Sequence, residues 1–231
     1  MKYEVIIFDA DETLFDFKKS EREAFKNTML EFGVDYDPNY HFKIYQDINT
    51  TIWKEFEEGL ITQEKLKIDR FKRLCNAINM DFDEKKLAKA YMNHLGDGSF
   101  LLEGAENLVK DLKDTYKLLI VTNGLTKVQN KRIKKSIIAH YFQDIIISEE
   151  VNVAKPNPEI FQLALNNITQ HDKSKVLIIG DSLTSDIQGG INFGIDTCWY
   201  NPNKVENLKN IKPTYEVSNF DEIKKLLEST K

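Results

Sequence analysis

Hydrophobic positions fall along this chain in two rhythms. Short unbroken apolar runs, Val5-Ile6-Ile7-Phe8 first among them, are four residues long and end at a polar residue. Such runs read as strands buried on both faces. From about residue 17 to about 98 the apolar residues recur at three- and four-residue spacing, which predicts helices over 21–32, 40–58, 62–79 and 83–94. Thr62 and the stretch 81–84 look like helix starts. From about residue 101 the two rhythms alternate. Helices are expected over 106–114, 125–139, 158–167, 185–193 and 221–228, and strands over 117–121, 144–147, 176–179, 197–200 and 215–217. Alternation of this kind implies a parallel sheet with helices on both faces. Right-handed crossovers then bring the C-terminal end of every strand to one edge, where ligands of such sheets bind.

Composition narrows the class. The chain has 231 residues, 41% hydrophobic and 30% charged, with 14 Phe and 9 Tyr, which suits a folded globular protein. The net charge of −5 argues against nucleic acid as a partner. No apolar run approaches the about 20 residues of a membrane span. The two cysteines, Cys75 and Cys198, make no disulfide framework, and no leader-like segment opens the chain, so a cytoplasmic protein is expected. The four histidines (His41, His94, His140, His171) fit neither a triad nor a zinc spacing.

The expected sheet edge carries the chemistry. Asp9-Ala10-Asp11-Glu12-Thr13 follows the first strand, and two carboxylates leaving a strand can face one site if the backbone turns. Thr122-Asn123-Gly124 follows the next, where a hydroxyl and backbone N–H groups can bind phosphoryl oxygens. Lys155-Pro156 offers an ammonium on a restricted backbone. Gly180-Asp181 through Asp186 adds two more carboxylates after a further strand. Each segment alone is also an ordinary loop or helix cap. Together, four carboxylates at one edge would repel strongly unless a hard divalent cation with oxygen ligands such as Mg²⁺ sat among them.

The four segments, in this order, resemble the signature motifs of the haloacid dehalogenase superfamily and, within it, the phosphatases. The resemblance covers the whole chain. It implies an α/β fold: a Rossmann-like doubly wound parallel sheet formed by residues 1–16 and 99–231, with an inserted all-α helical cap at 17–98 that selects the substrate. The stretch between Thr122 and Lys155 is used up by strand and helix, which leaves no room for the family's later cap insertion. More narrowly, Phe8-Asp9-Ala10-Asp11-Glu12-Thr13-Leu14-Phe15, Asn49 with Trp53, Ile147-Ser148-Glu149 and Gly189-Gly190-Ile191-Asn192 resemble the bacterial pyrimidine 5′-nucleotidases. Glu12 stands where the wider superfamily frequently has Gly.

By this resemblance Asp9 is the nucleophile that forms an aspartyl-phosphate, and Asp11 protonates the leaving 5′-oxygen and then activates water. A neutral Asp11 in the first step is expected from burial and neighbouring carboxylates. Thr122 and the N–H of Asn123 bind phosphoryl oxygens, and Lys155 neutralises the transferring group. Asp9, the backbone carbonyl of Asp11, Asp181 and Asp186 hold Mg²⁺, with Mn²⁺ able to substitute. Dehalogenases of the superfamily lack the second Asp because a halide needs no proton, so Asp11 points to phosphate esters. Asn49, as a hydrogen-bond partner of a pyrimidine edge, and Trp53, as a stacking surface, are the expected substrate contacts; Arg70 is expected to be a structural ion-pair partner. The substrate class is a nucleoside monophosphate such as dUMP, UMP or dTMP, hydrolysed by a monomer or weak dimer. A sugar-phosphate phosphatase or phosphomutase on the same core is the alternative.

Overall fold

The computed structural model describes residues 1–169 and 172–230, so His171 lies outside the described residues. The chain divides into two compact units, Met1–Phe17 with Ser99–Lys231, and Lys18–Gly98. The first is built on six parallel strands: β1 (Val5–Phe8), β2 (Lys117–Thr122), β3 (Asp144–Ile147), β4 (Val176–Gly180), β5 (Asp196–Tyr200) and β6 (Tyr215–Val217). Their order is β3-β2-β1-β4-β5-β6. Alternation within each apolar run decides which side chain faces which layer. Ile6, Phe8, Leu118, Ile120, Leu177 and Ile179 join one core cluster, whose helices are α5 (Ala105–Leu112) and α10 (Phe220–Ser229). Val5, Ile7, Leu119, Val121, Val176 and Ile178 join the other, against α8 (Glu159–Asn167) and α9 (Gln188–Phe193). All four residues of β1 are buried, each worth roughly 1.5–3 kcal/mol.

Strand order reverses beside β1. The chain moves outward through β2 and β3, then returns to place β4 on the other side. Phe8 is in register with both Ile120 and Ile179, so the loops after β1, β2 and β4 open side by side. This is a topological switch point, the place where doubly wound sheets bind ligands.

The second unit is helical throughout: α1 (Phe17–Glu31), a wide turn at Pro38–Phe42, α2 (Lys43–Glu57), α3 (Gln63–Ala77) and α4 (Glu84–Asp97). Thr62 accepts from the Lys65 N–H at the start of α3, and Asp83 from the Lys85 and Lys86 N–H groups at the start of α4, ordinary N-caps. Its interior is aromatic: Phe25 stacks on Tyr45 at 4.5 Å, and Tyr45 meets Phe71 at 5.8 Å and Tyr91 at 5.4 Å. No helix among the described residues is long and apolar enough to cross a membrane.

Two elements differ from the sequence reading. The helix expected over 125–139 stops early: α6 spans only Thr126–Arg132. The Ser136 hydroxyl donates to the Ile133 carbonyl, a local side-chain bond that competes with helix, while Ile138 and Phe142 turn into the sheet-face core. Ser148–Val151, outside every element predicted from the sequence, forms a helical turn, α7. Its side chains support the start of α6: Ser148 Oγ accepts from the Gly124 N–H at 3.1 Å and Glu149 from the Thr126 N–H at 2.6 Å.

Candidate active site

The loop after β1 turns at once. Leu14 and Phe15 N–H groups both donate to the Ala10 carbonyl at 2.9 Å, and the Glu12 N–H donates to Phe15 O at 2.8 Å. Glu12 sits at φ 60°, the left-handed region that glycine adopts at no cost. The turn keeps Asp9 and Asp11 close in sequence but aims their carboxylates at different partners.

Asp9 is buried. Its Oδ1 accepts from Lys155 Nζ at 2.6 Å, and the same ammonium donates to Val121 O at 2.6 Å and pairs with Asp186 Oδ1 at 2.7 Å. All three ammonium protons thus meet an acceptor. Lys155 itself is gripped by Asn123, whose Oδ1 accepts from the Lys155 N–H and whose Nδ2 donates to the Lys155 carbonyl, both at 2.9 Å. That clasp was not legible in the sequence, where Asn123 was assigned to the substrate through its backbone N–H alone.

Asp186 sits in the wide turn Leu183–Ile187 rather than inside a regular helix, and its Oδ2 accepts from the Ser182 N–H at 3.0 Å. Gly180 makes that return possible, since a Cβ there would run into the Asp186 carboxyl group. Trp199 Nε1 donates to Asp181 O at 2.8 Å and fixes the strand end that carries Asp181.

One carboxylate oxygen each from Asp9, Asp181 and Asp186 lies within 4.8 Å of the others. The electrostatics follow from the crowding. Burial pushes the Asp9 carboxyl up to about 7, with Lys155 opposing and Asp186 and Asp11 adding to the shift. Burial, then Asp186 and Asp9, push Asp181 up to about 9. Burial works against the Lys155 ammonium, but Asp186 and Asp9 outweigh it and hold its pKa above the usual lysine value. Three carboxylates against one ammonium leave two negative charges, which a hard divalent cation with oxygen ligands matches.

Asp11 stands apart from that cluster. Arg132 Nη1 pairs with its Oδ1 at 2.8 Å and Gln129 Nε2 donates to its Oδ2 at 3.0 Å. The side chain of Asp11 thus takes a guanidinium and an amide as its partners, beside the neighbouring carboxylate of Asp9. Thr122, buried at the end of β2, accepts from the same Gln129 amide at 3.3 Å.

In the helical unit Asn49 is corrected as well. It is buried, its Nδ2 donates to Glu21 Oε1 at 2.7 Å, and its Oδ1 accepts from Arg70 Nη1 at 3.2 Å. The amide is part of the unit's interior and does not present an edge to a base. Arg70 is buried over Phe71 and Tyr91, the structural role expected of it. Trp53 is half-buried and edge-on to Phe56 at 5.9 Å.

Residues 6–200 match the family model for haloacid dehalogenase-like hydrolases, which spans every group in this site. The chain belongs to that family. Within the haloacid dehalogenase-like hydrolases it is 37% identical over 227 residues to the pyrimidine 5′-nucleotidase YjjG of Escherichia coli, covering 98% of this chain and 99% of that one. It is 37% identical over 224 residues to the pyrimidine 5′-nucleotidase PynA of Streptococcus pneumoniae, covering 96% and 94%. Its fold superposes on the HAD-hydrolase YfnB of Bacillus subtilis, solved with bound magnesium, with a TM-score of 0.92 and 35% identity over 98% of this chain and 99% of that one.

Proposed function

We propose that this protein is a Mg²⁺-dependent phosphatase that hydrolyses nucleoside 5′-monophosphates, pyrimidine nucleotides foremost. The observation that carries the phosphatase reading is the separation of the two loop carboxylates. Asp9 lies within the acidic cluster beside Lys155. Asp11 lies outside it, beside Arg132, so one carboxylate is committed to the cluster while the other is left to handle a proton. The base preference is supported by the pyrimidine 5′-nucleotidases at 37% identity over nearly the whole chain.

In this reading Asp9 attacks phosphorus and carries the phosphoryl group as an aspartyl-phosphate. Asp11 gives a proton to the leaving 5′-oxygen and later takes one from the hydrolytic water. Thr122 and the Asn123 N–H hold phosphoryl oxygens, and Lys155, positioned by the Asn123 clasp, balances the transferring charge. Asp9, Asp181 and Asp186, with the Asp11 carbonyl, would hold Mg²⁺, which supplies charge neutralisation for the phosphate. Mn²⁺ shares its charge and oxygen preference and is expected to substitute. Substrate selection is assigned to the helical unit, with Trp53 as the candidate stacking residue. The protein acts in the cytoplasm on a small molecule, as a monomer or weak dimer.

The test is phosphate release with Mg²⁺ from dUMP, UMP, dTMP, CMP, AMP, GMP and several sugar phosphates, with Asp9→Asn as the blank. Preferential release from pyrimidine nucleotides that vanishes in the variant is expected. Release chiefly from sugar phosphates would keep the roles of Asp9 and Asp11 and overturn the nucleotide assignment. Conversion of a sugar phosphate to its isomer would replace the hydrolase by a mutase.

A further inference from the structure

Two α6 side chains outside the signature motifs form a closed triangle with Asp11. Arg132 Nη1 lies 2.8 Å from Asp11 Oδ1 and donates to Gln129 Oε1 at 2.9 Å. Gln129 Nε2 donates to Asp11 Oδ2 at 3.0 Å and also reaches Thr122 Oγ1. The Arg132 side chain is 0% exposed against 23% for Asp11, so a fully buried cation meets an anion at the rim of the site. The guanidinium lies near the rings of Phe15, at 5.9 Å, and Phe17, at 5.2 Å, and the Ser99 hydroxyl donates to the Arg132 carbonyl. Space for Gln129 depends on Gly124, where a Cβ would come within 2.7 Å of Gln129 Nε2.

We propose that Gln129 and Arg132 are positioning residues that hold the Asp11 carboxylate away from the cation site and in place for proton transfer. The proposal deepens the phosphatase reading and rests on Asp11 as acid and base. Asp11 leaves the same tight loop as Asp9, and a mobile carboxylate that close to a divalent-cation site is a competing ligand. A guanidinium cannot give up its proton, so it keeps its charge beside Asp11 through both half-reactions, which suits this task better than an ammonium. The buried Arg132 needs its anion in turn, because an unpaired buried charge is costly.

Proton handling then follows. In the first half-reaction the Asp9 oxygen bonds to phosphorus, the bond to the leaving 5′-oxygen breaks, and the carboxyl proton of Asp11 passes to that oxygen. In the second, a water oxygen bonds to phosphorus, the Asp9 oxygen departs with its electron pair, and the water proton passes to Asp11. Only the first depends on the leaving group, since an aryloxide departs without a proton and an alkoxide does not.

The experiment compares kcat/KM for a nucleoside 5′-monophosphate and for p-nitrophenyl phosphate in Gln129→Leu, Arg132→Lys, Arg132→Met and Asp11→Asn. General-acid loss costs about 10²–10⁴-fold, so Asp11→Asn should lose that on the nucleotide and far less on the aryl ester. Gln129→Leu should lose about 10-fold or more on the nucleotide through kcat, with a change of less than about threefold on the aryl ester. Arg132→Met should lose more, and Arg132→Lys should recover part of it. Equal losses on both substrates, or none on the nucleotide, would overturn the proposal while Asp11→Asn keeps its leaving-group dependence. If Asp11→Asn shows no such dependence, the acid–base reading itself fails and the proposal with it. Gln129→Leu keeps the question answerable should Arg132→Met fail to fold.

Discussion

Both units bury charge, and they do so differently. Inside the helical unit one carboxylate, Glu21, and one guanidinium, Arg70, are joined by the neutral amide of Asn49. At the edge of the sheet, three carboxylates gather around one ammonium, and burial, with the neighbouring carboxylates adding to it, pushes Asp9 up to about 7 and Asp181 up to about 9. A balanced buried set specifies a structure. An unbalanced one stores a demand for a counter-charge, which is what a cation-dependent active site needs. The Asp11–Arg132 pair shares features of both, since it is balanced like the first and adjoins the second.

The most severe way to probe the contrast is Asp9→Asn. Removal of the nucleophile should cost on the order of 10⁴ or more in kcat, read as Mg²⁺-dependent phosphate release. The same variant relieves carboxylate crowding, so the metal-free protein should melt no lower than the parent. A large drop in melting temperature would mean that the cluster is structural, like the buried set of the helical unit.

Arg70→Met should act in the opposite sense. It removes the cation of this buried set and the donor to Asn49 Oδ1, and should lower stability by about 3 kcal/mol in urea denaturation. If activity fell while stability stayed at the parent's value, Arg70 would belong to the site and not to the scaffold.

The third probe is pH. Asp9 and Asp181 titrate in the folded protein at about 7 and about 9, above the usual carboxylate range of the unfolded chain near 4. Between these limits the folded state binds more protons than the unfolded state, so metal-free stability falls as pH rises. The slope is at most about 1.4 kcal/mol per pH unit for each group involved. Saturating Mg²⁺ should remove most of this fall. Urea midpoints in EDTA that stay level or rise with pH would contradict the electrostatics of the cluster.

The mildest expected effect is at Trp53. Trp53→Ala should raise KM for pyrimidine nucleotides by about tenfold, the scale of a lost base–aromatic stack, with melting temperature nearly unchanged. A loss of stability without a KM change would place Trp53 with the packing residues of its unit.

Much of this was legible before any coordinates. β1, β2 and β4 announced themselves as short apolar runs because a strand buried on both faces has no polar side to show. Asp9, Asp11, Asp181 and Asp186 follow strands, Thr122 ends one and Lys155 comes after the turn that follows β3, and crossover handedness alone brings strand ends to one edge. The early end of α6 was not legible, because Ile133 and Ile137 keep helical spacing, whereas Ile133 and Ile138 are the pair buried in the sheet-face core. Asn49 was misread for a related reason: a polar residue on a helix looks the same whether it faces solvent, a ligand or a buried Arg70.

The order of residues by itself therefore determined the layers, the register-bearing strands and the set of groups that meet, since periodicity and chain direction are local properties. Which partner each group takes was decided only by tertiary structure. Asp9 meets Lys155, while Asp11, two residues on, meets Arg132, and Asn123 grips the lysine backbone from the end of another strand. Hydrogen bonds and ion pairs act over about 3 Å, and only the folded chain brings residues 32 to 146 positions apart to that distance.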